Sequence, residues 1–167
     1  MENQTLIIEK PTKKDIKDIL AMYKKRVIYN IEHGIKQWSL DEVTLEEFAK
    51  IYTLDDYYMG KCSGKIVCGM FIVDIDKLYW PNAKKGEALY LHKIVVDPDY
   101  SGKGYGGLLI EYFKEKGRSE GYSEVRLDVK EYKEKLRSMY EEHGFQLVEI
   151  KQIFTEYKTA LYHYEFK

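Results

Sequence analysis

The chain has 167 residues, of which 44% are hydrophobic and 33% are charged, and its formal net charge at pH 7 is −1. These values predict one folded domain over residues 1–167, and the near-neutral charge argues against nucleic acid or an acidic membrane surface as a partner. The longest apolar runs fall far short of the roughly 20 residues that cross a bilayer. The N-terminal sequence MENQTLIIEK lacks the basic and apolar segments of a signal peptide, so we expect a cytoplasmic protein.

Two cysteines, Cys62 and Cys68, lie in or beside two adjacent predicted strands. A disulfide is disfavoured in a reducing compartment, and two cysteines without nearby histidines do not form a zinc site. We therefore expect buried free thiols and no bound metal.

The first part of the chain is predicted to form a strand and two helices. A β-type run covers residues 5–9, and Thr12 is a suitable N-cap for a long helix with one apolar stripe. Thr44 and Glu47 have the spacing of a capping box, which opens a second, short helix. The residues of the short helix that are expected to point inward are Leu45, Phe48 and Ile51.

The middle of the chain is predicted to form a hairpin, a third strand and a helix. Residues 57–62 and 66–74 read as two antiparallel strands joined by a turn at Ser63-Gly64. A further strand, rich in β-branched residues, stops at Asp97-Pro98. After a glycine-rich loop, apolar and aromatic residues recur with helical spacing until Gly121.

The last part of the chain completes the predicted fold with a strand over 123–129, a helix closed by Gly144, and strands over 146–153 and 160–166. The order is β-α-α-β-β-β-α-β-α-β-β. This order predicts an α+β fold with a mixed, mostly antiparallel sheet of about seven strands, flanked by about four helices.

The glycine-rich loop is the most informative stretch, because it joins the end of a strand to the start of a helix. Glycines let the backbone approach a ligand closely, and the first N–H groups of a helix are unpaired and lie at its positive end. This arrangement favours an anion, and we expect a ligand that carries phosphate. The glycines of the loop are Gly102, Gly104, Gly106 and Gly107.

The same glycines match the dinucleotide fingerprint G-x-G-x-x-G, and Asp128 follows at about the expected spacing. The context argues against this interpretation. Four residues separate the loop from the strand, a hairpin rather than a βαβ unit precedes it, and too few residues follow Gly107 for the rest of a dinucleotide fold. A nicotinamide dinucleotide is therefore the less favoured ligand.

Two motifs carry a resemblance to a known family. The sequence VVDPDYSGKGYGGLL (residues 95–109) is similar to the acyl-CoA-binding core of the GCN5-related N-acetyltransferases, the GNAT superfamily. The second signature of that family, Leu/Met-Tyr-Glu-x-x-Gly-Phe, appears as MYEEHGF at residues 139–145. The two motifs occur in the family's order, and the resemblance covers essentially the whole chain. It implies a GNAT-like fold in which CoA lies between two splayed strands.

The resemblance assigns acetyl-CoA binding to the strand end and the glycine loop. The pantetheine arm would pair with the backbone of Ile94–Val96, and the N–H of Val95 would donate to the thioester oxygen. Ser101 stands where the family has glutamine or arginine. Lys103 or another nearby basic residue would compensate for the missing long side chain. Lys133 stands where the family often has asparagine. The cofactor-binding residues are Ile94, Val95, Val96, Ser101, Gly102, Lys103, Gly104, Tyr105, Gly106 and Gly107.

Two residues are candidates for proton transfer. Tyr140 has the family's position for the acid that protonates the leaving thiolate, although a helical tyrosine among apolar residues is also typical of a core. His92 is the best candidate for the base that deprotonates the amine, and the alternative is a hydrogen-bonded structural histidine. Glu87 and Glu32 are weaker alternatives for the base.

The acceptor is expected to be a primary amine of a small molecule, bound near Tyr29 and Trp38. For Trp38 the alternative is that it covers an edge of the core. The sequence thus predicts an acetyl-CoA-dependent N-acetyltransferase that acts by direct transfer in a ternary complex, without metal or nucleic acid. The alternative is a non-catalytic acyl-CoA-binding or sensing module with the same fold. A homodimer through the C-terminal strands is the assembly that the resemblance implies.

Overall fold

The computed structural model describes residues 5–167, in which seven strands and four α-helices follow the predicted order. The elements are β1 (Ile7–Glu9), α1 (Ile16–Glu32), α2 (Leu45–Ala49), β2 (Tyr57–Cys62), β3 (Lys65–Val73), β4 (Leu89–Val96), α3 (Tyr105–Ser119), β5 (Glu124–Lys130), α4 (Glu134–Glu142), β6 (Gln146–Lys151) and β7 (Thr159–Glu165).

The strands form one open sheet in the order β1-β2-β3-β4-β5-β7-β6. The β4–β5 pair is parallel, whereas β1–β2, β2–β3, β5–β7 and β6–β7 are antiparallel. The predicted α+β class and the mostly antiparallel sheet are confirmed.

The chain divides into two compact units. One comprises residues 5–71 and Lys93–Leu109, and the other comprises Ile72–His92 and Ile110–Lys167. The expectation of a single domain stays a prediction.

In the first unit, the apolar stripe predicted for α1 is confirmed, because Ile19, Tyr23 and Val27 are buried. The ring of Tyr23 contacts that of Phe48, with centroids 5.1 Å apart. Thr44 caps α2 by accepting a hydrogen bond from the Glu47 N–H at 3.2 Å, as its spacing predicts.

The inward orientation predicted for Leu45 and Ile51 is wrong, since these side chains are 53% and 72% exposed. The α-helix is only five residues long and ends at Ala49, so only Phe48 of the three predicted residues reaches the core.

The predicted hairpin is confirmed as β2 and β3. Its turn has positive φ at both central residues, Ser63 (49°) and Gly64 (77°). Positive φ at both positions is characteristic of the two-residue turns that match the twist of hairpin strands. Cys62 and Cys68 are buried free thiols, as expected, and burial raises the pKa of the Cys68 thiol to about 12.

In the second unit, β5 pairs with β4 over Leu89–Leu91 and with β7 along its whole length. Phe113 of α3, Leu127 of β5 and Tyr162 of β7 are almost completely buried. Gly144 ends α4 with φ of 89°, a left-handed conformation that favours glycine, as predicted for the residue after the helix. Over residues 5–167, none of the helices has the length and apolar character needed to cross a bilayer.

Candidate active site

The loop after β4 begins with a rigid turn. Asp97 is buried, its N–H donates to the Val67 carbonyl at 2.8 Å, and its carboxylate accepts from the Asp99 N–H at 2.9 Å. Lys25 of α1 pairs with Asp97 at 2.9 Å and with Asp99 at 2.6 Å. These contacts fix the direction in which the chain leaves the sheet and enters the glycine loop.

The glycine loop has the backbone that the sequence predicts for an anion cradle. Gly102 and Gly104 have φ values of 79° and 82°, which L side chains rarely adopt. No atom lies within 4 Å of the position that a Cβ would take at either residue, so the backbone faces open space. This open, N–H-rich turn fits a pyrophosphate group.

The helix that follows starts earlier than the sequence suggests. α3 begins at Tyr105, and its first hydrogen bond runs from the Leu108 N–H to the Gly104 carbonyl at 3.2 Å. Gly106 and Gly107 therefore lie in the first helical turn, not in the loop. Their N–H groups are among those without a partner in the helix and lie at its positive end, so they add donors that an anion can use.

Arg26 is a candidate anion-binding residue that lies outside both sequence motifs. Its Nε and Nη2 donate to the Val96 carbonyl at 2.9 and 2.7 Å, and Nη2 also donates to Ser101 Oγ at 3.1 Å. Burial lowers the pKa of Arg26, but a guanidinium stays charged in proteins. Ser101 thus lies beside a half-buried cation.

Lys103, the residue expected to compensate for Ser101, has its ammonium 5.2 Å from the centre of the Tyr100 ring. The structure therefore provides two cations in this region, the half-buried Arg26 of α1 and the exposed Lys103 of the loop. Arg26 precedes Ser101 by 75 residues in the sequence, and no local pattern links it to the loop.

The second half of β4 is irregular at Lys93, whose φ is 53°. Tyr23 of α1 donates its hydroxyl proton to the Lys93 carbonyl at 2.6 Å. Of the residues assigned to the pantetheine arm, Val95 is buried, while Ile94 and Val96 are half-buried. Positive φ is uncommon for a residue other than glycine, and such strained backbone conformations cluster at active sites.

The two residues predicted to bind the acceptor lie at different places in the first unit. Trp38 packs against Tyr23, with ring centroids 5.6 Å apart, and the Lys93 ammonium lies 5.3 Å from the centre of its ring. Tyr29 stacks on His33 at 3.8 Å, and the Arg26 guanidinium lies 5.3 Å from its ring centre. Both side chains are half-buried.

His92, the candidate base, lies between two carboxylates of the second unit. Its Nε2 is 3.4 Å from Asp76 Oδ2, and its Nδ1 is 3.5 Å from Asp128 Oδ2. The side chain is 16% exposed.

These three side chains are of the types that ligate metals, and their candidate atoms lie within 4.8 Å of one another. Each ring nitrogen faces a different carboxylate, however, and a single ion binds only one nitrogen of an imidazole. We interpret the group as a histidine between two carboxylates, and the absence of a metal stays a prediction.

Tyr140, the candidate acid, is 2% exposed on α4. Its ring lies near those of Phe145 and Tyr162, with centroids 6.2 and 6.4 Å away. Burial, and then the charge of Asp128, raise the pKa of Tyr140 above the ordinary phenol value, so the hydroxyl keeps its proton at neutral pH.

Comparison with known proteins identifies the class. The model of the Acetyltransferase (GNAT) family matches residues 24–145. The chain belongs to this family.

The curated relatives are N-acetyltransferases by name. An uncharacterized N-acetyltransferase of Methanocaldococcus jannaschii is 31% identical over 121 residues, which cover 69% of this chain and 51% of the relative. The thialysine N-epsilon-acetyltransferase of Bos taurus is 30% identical over 87 residues, which cover 52% of this chain and 49% of the relative. The chain spans about half the length of these curated relatives.

Solved structures support the fold. A GNAT-family acetyltransferase of Listeria monocytogenes superposes with a TM-score of 0.79 and 21% identity, covering 99% of this chain and 97% of that one. The ribosomal-protein-S18-alanine N-acetyltransferase of Escherichia coli has a TM-score of 0.71 and 17% identity, with coverage of 96% and 94%. The GNAT fold predicted from the two motifs is confirmed.

Proposed function

We propose that this protein is an N-acetyltransferase that moves the acetyl group of acetyl-CoA to a primary amine of a small molecule, by direct transfer in a ternary complex. The observation that carries the proposal is the open, positively polarised turn from Gly102 into α3, in a chain of the GNAT family. The bovine relative, whose name gives thialysine as its substrate, favours a small-molecule amine over a protein acceptor.

The residues of the loop would bind and orient the cofactor. The glycine turn, the first turn of α3 and Arg26 would bind the pyrophosphate. Acetyl-CoA supplies a thioester whose carbonyl carbon the amine attacks. The backbone of Ile94–Val96 would hold the pantetheine arm as an added strand does, and the Val95 N–H would donate to the carbonyl oxygen, where negative charge develops.

Two side chains would move protons. An alkylammonium has a pKa near 10, so the acceptor must lose a proton before its nitrogen can attack. His92 would accept that proton, and Tyr140 would donate its hydroxyl proton to the thiolate that leaves. Trp38 and Tyr29 would contact the acceptor. The cytoplasmic location and the homodimer stay predictions.

Acetyl-CoA is expected to raise the melting temperature of the protein, and NAD is not. A ligand that binds only the folded state adds about 2.7 kcal/mol at 100 times its Kd. For a chain of this length, this corresponds to a Tm increase of about 5–10 °C, which differential scanning fluorimetry resolves. An increase with NAD alone would favour the dinucleotide interpretation of the glycine motif, and no increase with acetyl-CoA or CoA would refute the proposed function.

Replacing Arg26 with alanine is expected to raise the Kd for CoA by about tenfold or more, because one hydrogen bond to a charged group contributes about 1.5–3 kcal/mol. The matched control is Lys24→Ala, which removes the same charge from an exposed position of α1. Isothermal titration calorimetry measures both. Equal losses of affinity in the two variants would show that Arg26 acts only through the overall charge.

A further inference from the structure

His92 has a charged partner on each side, and the two partners come from different parts of the second unit. Asp76 lies in the segment between β3 and β4, and Asp128 lies on β5. The side chains of Asp76 and Asp128 are 5% and 18% exposed, so water screens neither interaction strongly.

The two oxygens of Asp76 differ in their partners. Oδ1 accepts hydrogen bonds from the N–H groups of Leu78 and Tyr79, both at 3.0 Å, which fix the carboxylate in place. Oδ2 is buried and makes no hydrogen bond, and it lies 3.4 Å from His92 Nε2. A buried carboxylate oxygen is costly unless a cation or a donor faces it. The ring of His92 is the group placed to meet this need.

The protonation state of His92 decides whether both carboxylates are satisfied. A neutral imidazole carries one N–H, so one of its nitrogens turns a lone pair toward a carboxylate. An imidazolium has an N–H at both nitrogens and matches Asp76 and Asp128 at once. The geometry therefore favours the protonated ring.

Other titratable groups surround this trio at greater remove. Tyr79 lies in the loop between β3 and β4, and Tyr140 lies on α4. Burial raises the pKa of both phenols, and the negative charge of Asp128 raises it further. Tyr90 lies on the same strand as His92, and its neighbour Arg126 is engaged by Glu124 at 3.0 Å and by Glu87 at 3.1 Å.

His163 has a similar pair of neighbours and shows why burial matters. Its Nδ1 is 3.0 Å from Glu124 Oε2 and its Nε2 is 3.4 Å from Glu165 Oε1, but the Glu165 side chain is 68% exposed. Water screens that second contact. His92 differs in that both of its carboxylates are largely removed from solvent.

We propose that Asp76 and Asp128 are positioning residues, which orient the ring of His92 and stabilise its protonated form, so that His92 accepts the proton of the acceptor's ammonium group. This inference rests on the proposed function. In the step, the N–H bond of the ammonium breaks and its electron pair stays on the amine nitrogen for attack. Because both ring nitrogens face carboxylates, a bridging water takes this proton and gives one of its own to the unprotonated ring nitrogen. The positive charge that leaves the substrate is then held between the two carboxylates.

The test is a pH titration of the four histidine Cε1–Hε1 signals by NMR in the ligand-free protein, with the His92 signal assigned from His92→Gln. Asp128→Asn and Asp76→Asn keep the shape of the side chain and remove its charge. Each is expected to lower the titration midpoint of His92 by about one pH unit, since an opposite charge at this distance shifts such a midpoint by 1 unit or more. Circular dichroism checks that both variants fold, and Asp128→Asn alone suffices if Asp76→Asn does not.

The matched control is Glu111→Gln, which removes the carboxylate that lies 2.7 Å from a different histidine, His143. This variant is expected to leave the His92 midpoint unchanged. A His92 midpoint that is the same in wild type and in Asp128→Asn would overturn the proposal.

The pH dependence of kcat/KM tests separately whether Asp128 acts in catalysis. The acid limb of the kcat/KM profile for acetyl transfer to a diamine is expected to move to lower pH in Asp128→Asn, in step with the NMR midpoint. A limb that stays in place would overturn the role of Asp128 in catalysis. Midpoints that shift as expected, in a protein that acetylates none of a panel of amines, would instead refute the proposed function and leave the pairing of charges intact.

Discussion

Replacing Tyr140 with phenylalanine is expected to lower kcat by about 10²–10⁴-fold, the usual contribution of a positioned general acid. The change removes one oxygen and keeps the ring that packs near Phe145 and Tyr162. The KM for acetyl-CoA should therefore change little, and Tm should fall by about 5 °C or less. Steady-state kinetics with acetyl-CoA and an amine, together with a thermal melt, measure both effects.

The pH dependence separates an acid from a structural tyrosine. An acid is active only while protonated, and burial raises the pKa of Tyr140, so wild-type activity should not decline through this group below about pH 10. The matched control is Tyr164→Phe, in a half-buried tyrosine of β7, which should keep kcat within about twofold. If Tyr140→Phe also keeps kcat, Tyr140 is only a core residue.

The strand–helix order could be predicted because it depends on local rules. The hairpin at Ser63-Gly64 follows from a two-residue turn between two β-type runs, and the end of α4 follows from Gly144. Thr44 caps α2 because its hydroxyl needs only an N–H three residues away. Each of these features involves residues that are close in the sequence, so no knowledge of the tertiary structure is needed.

Helix boundaries and burial were harder to predict, because tertiary packing decides them. Periodicity placed Leu45 and Ile51 on the buried face, but α2 is too short for that stripe to form, and both residues are exposed. In the sequence, Gly106 and Gly107 have the character of loop residues because glycine weakens helices, yet they lie in the first turn of α3. In the first turn of a helix, glycine destabilises the helix less than it does in the helix interior, and it leaves the N–H groups accessible.

The partners of the candidate site could not be predicted, since they come from distant parts of the chain. Arg26 contacts Ser101, and the carboxylates beside His92 come from Asp76 and Asp128. The motifs identified the backbone of the glycine loop, because its positive φ values demand glycine. They contain no information on which charges fold against it, because an arginine that packs against the loop and one that faces solvent look alike in a single sequence.

Replacing His92 with glutamine is expected to lower kcat/KM at neutral pH by about 10²–10⁴-fold and to remove the acid limb that follows the titration of His92. A base acts only while it can accept a proton, so wild-type activity should rise as the pH increases through the titration of His92 and then level off. Glutamine cannot accept a proton in this range, and the residual rate should follow only the ionisation of the amine itself.

The control for this change is His163→Gln, because His163 also lies between two carboxylates, Glu124 and Glu165. Both variants lose an imidazole that faces two acidic side chains, and only the loss at position 92 should affect the reaction. Activity should also recover in His92→Gln at high pH, where the acceptor reaches the enzyme already deprotonated. An acid limb that stays at the His92 midpoint in His92→Gln would assign the base to another group, with Glu87 and Glu32 as the next candidates. Activity that recovers only near the pKa of the amine would instead assign proton removal to His92, because an uncharged amine needs no base.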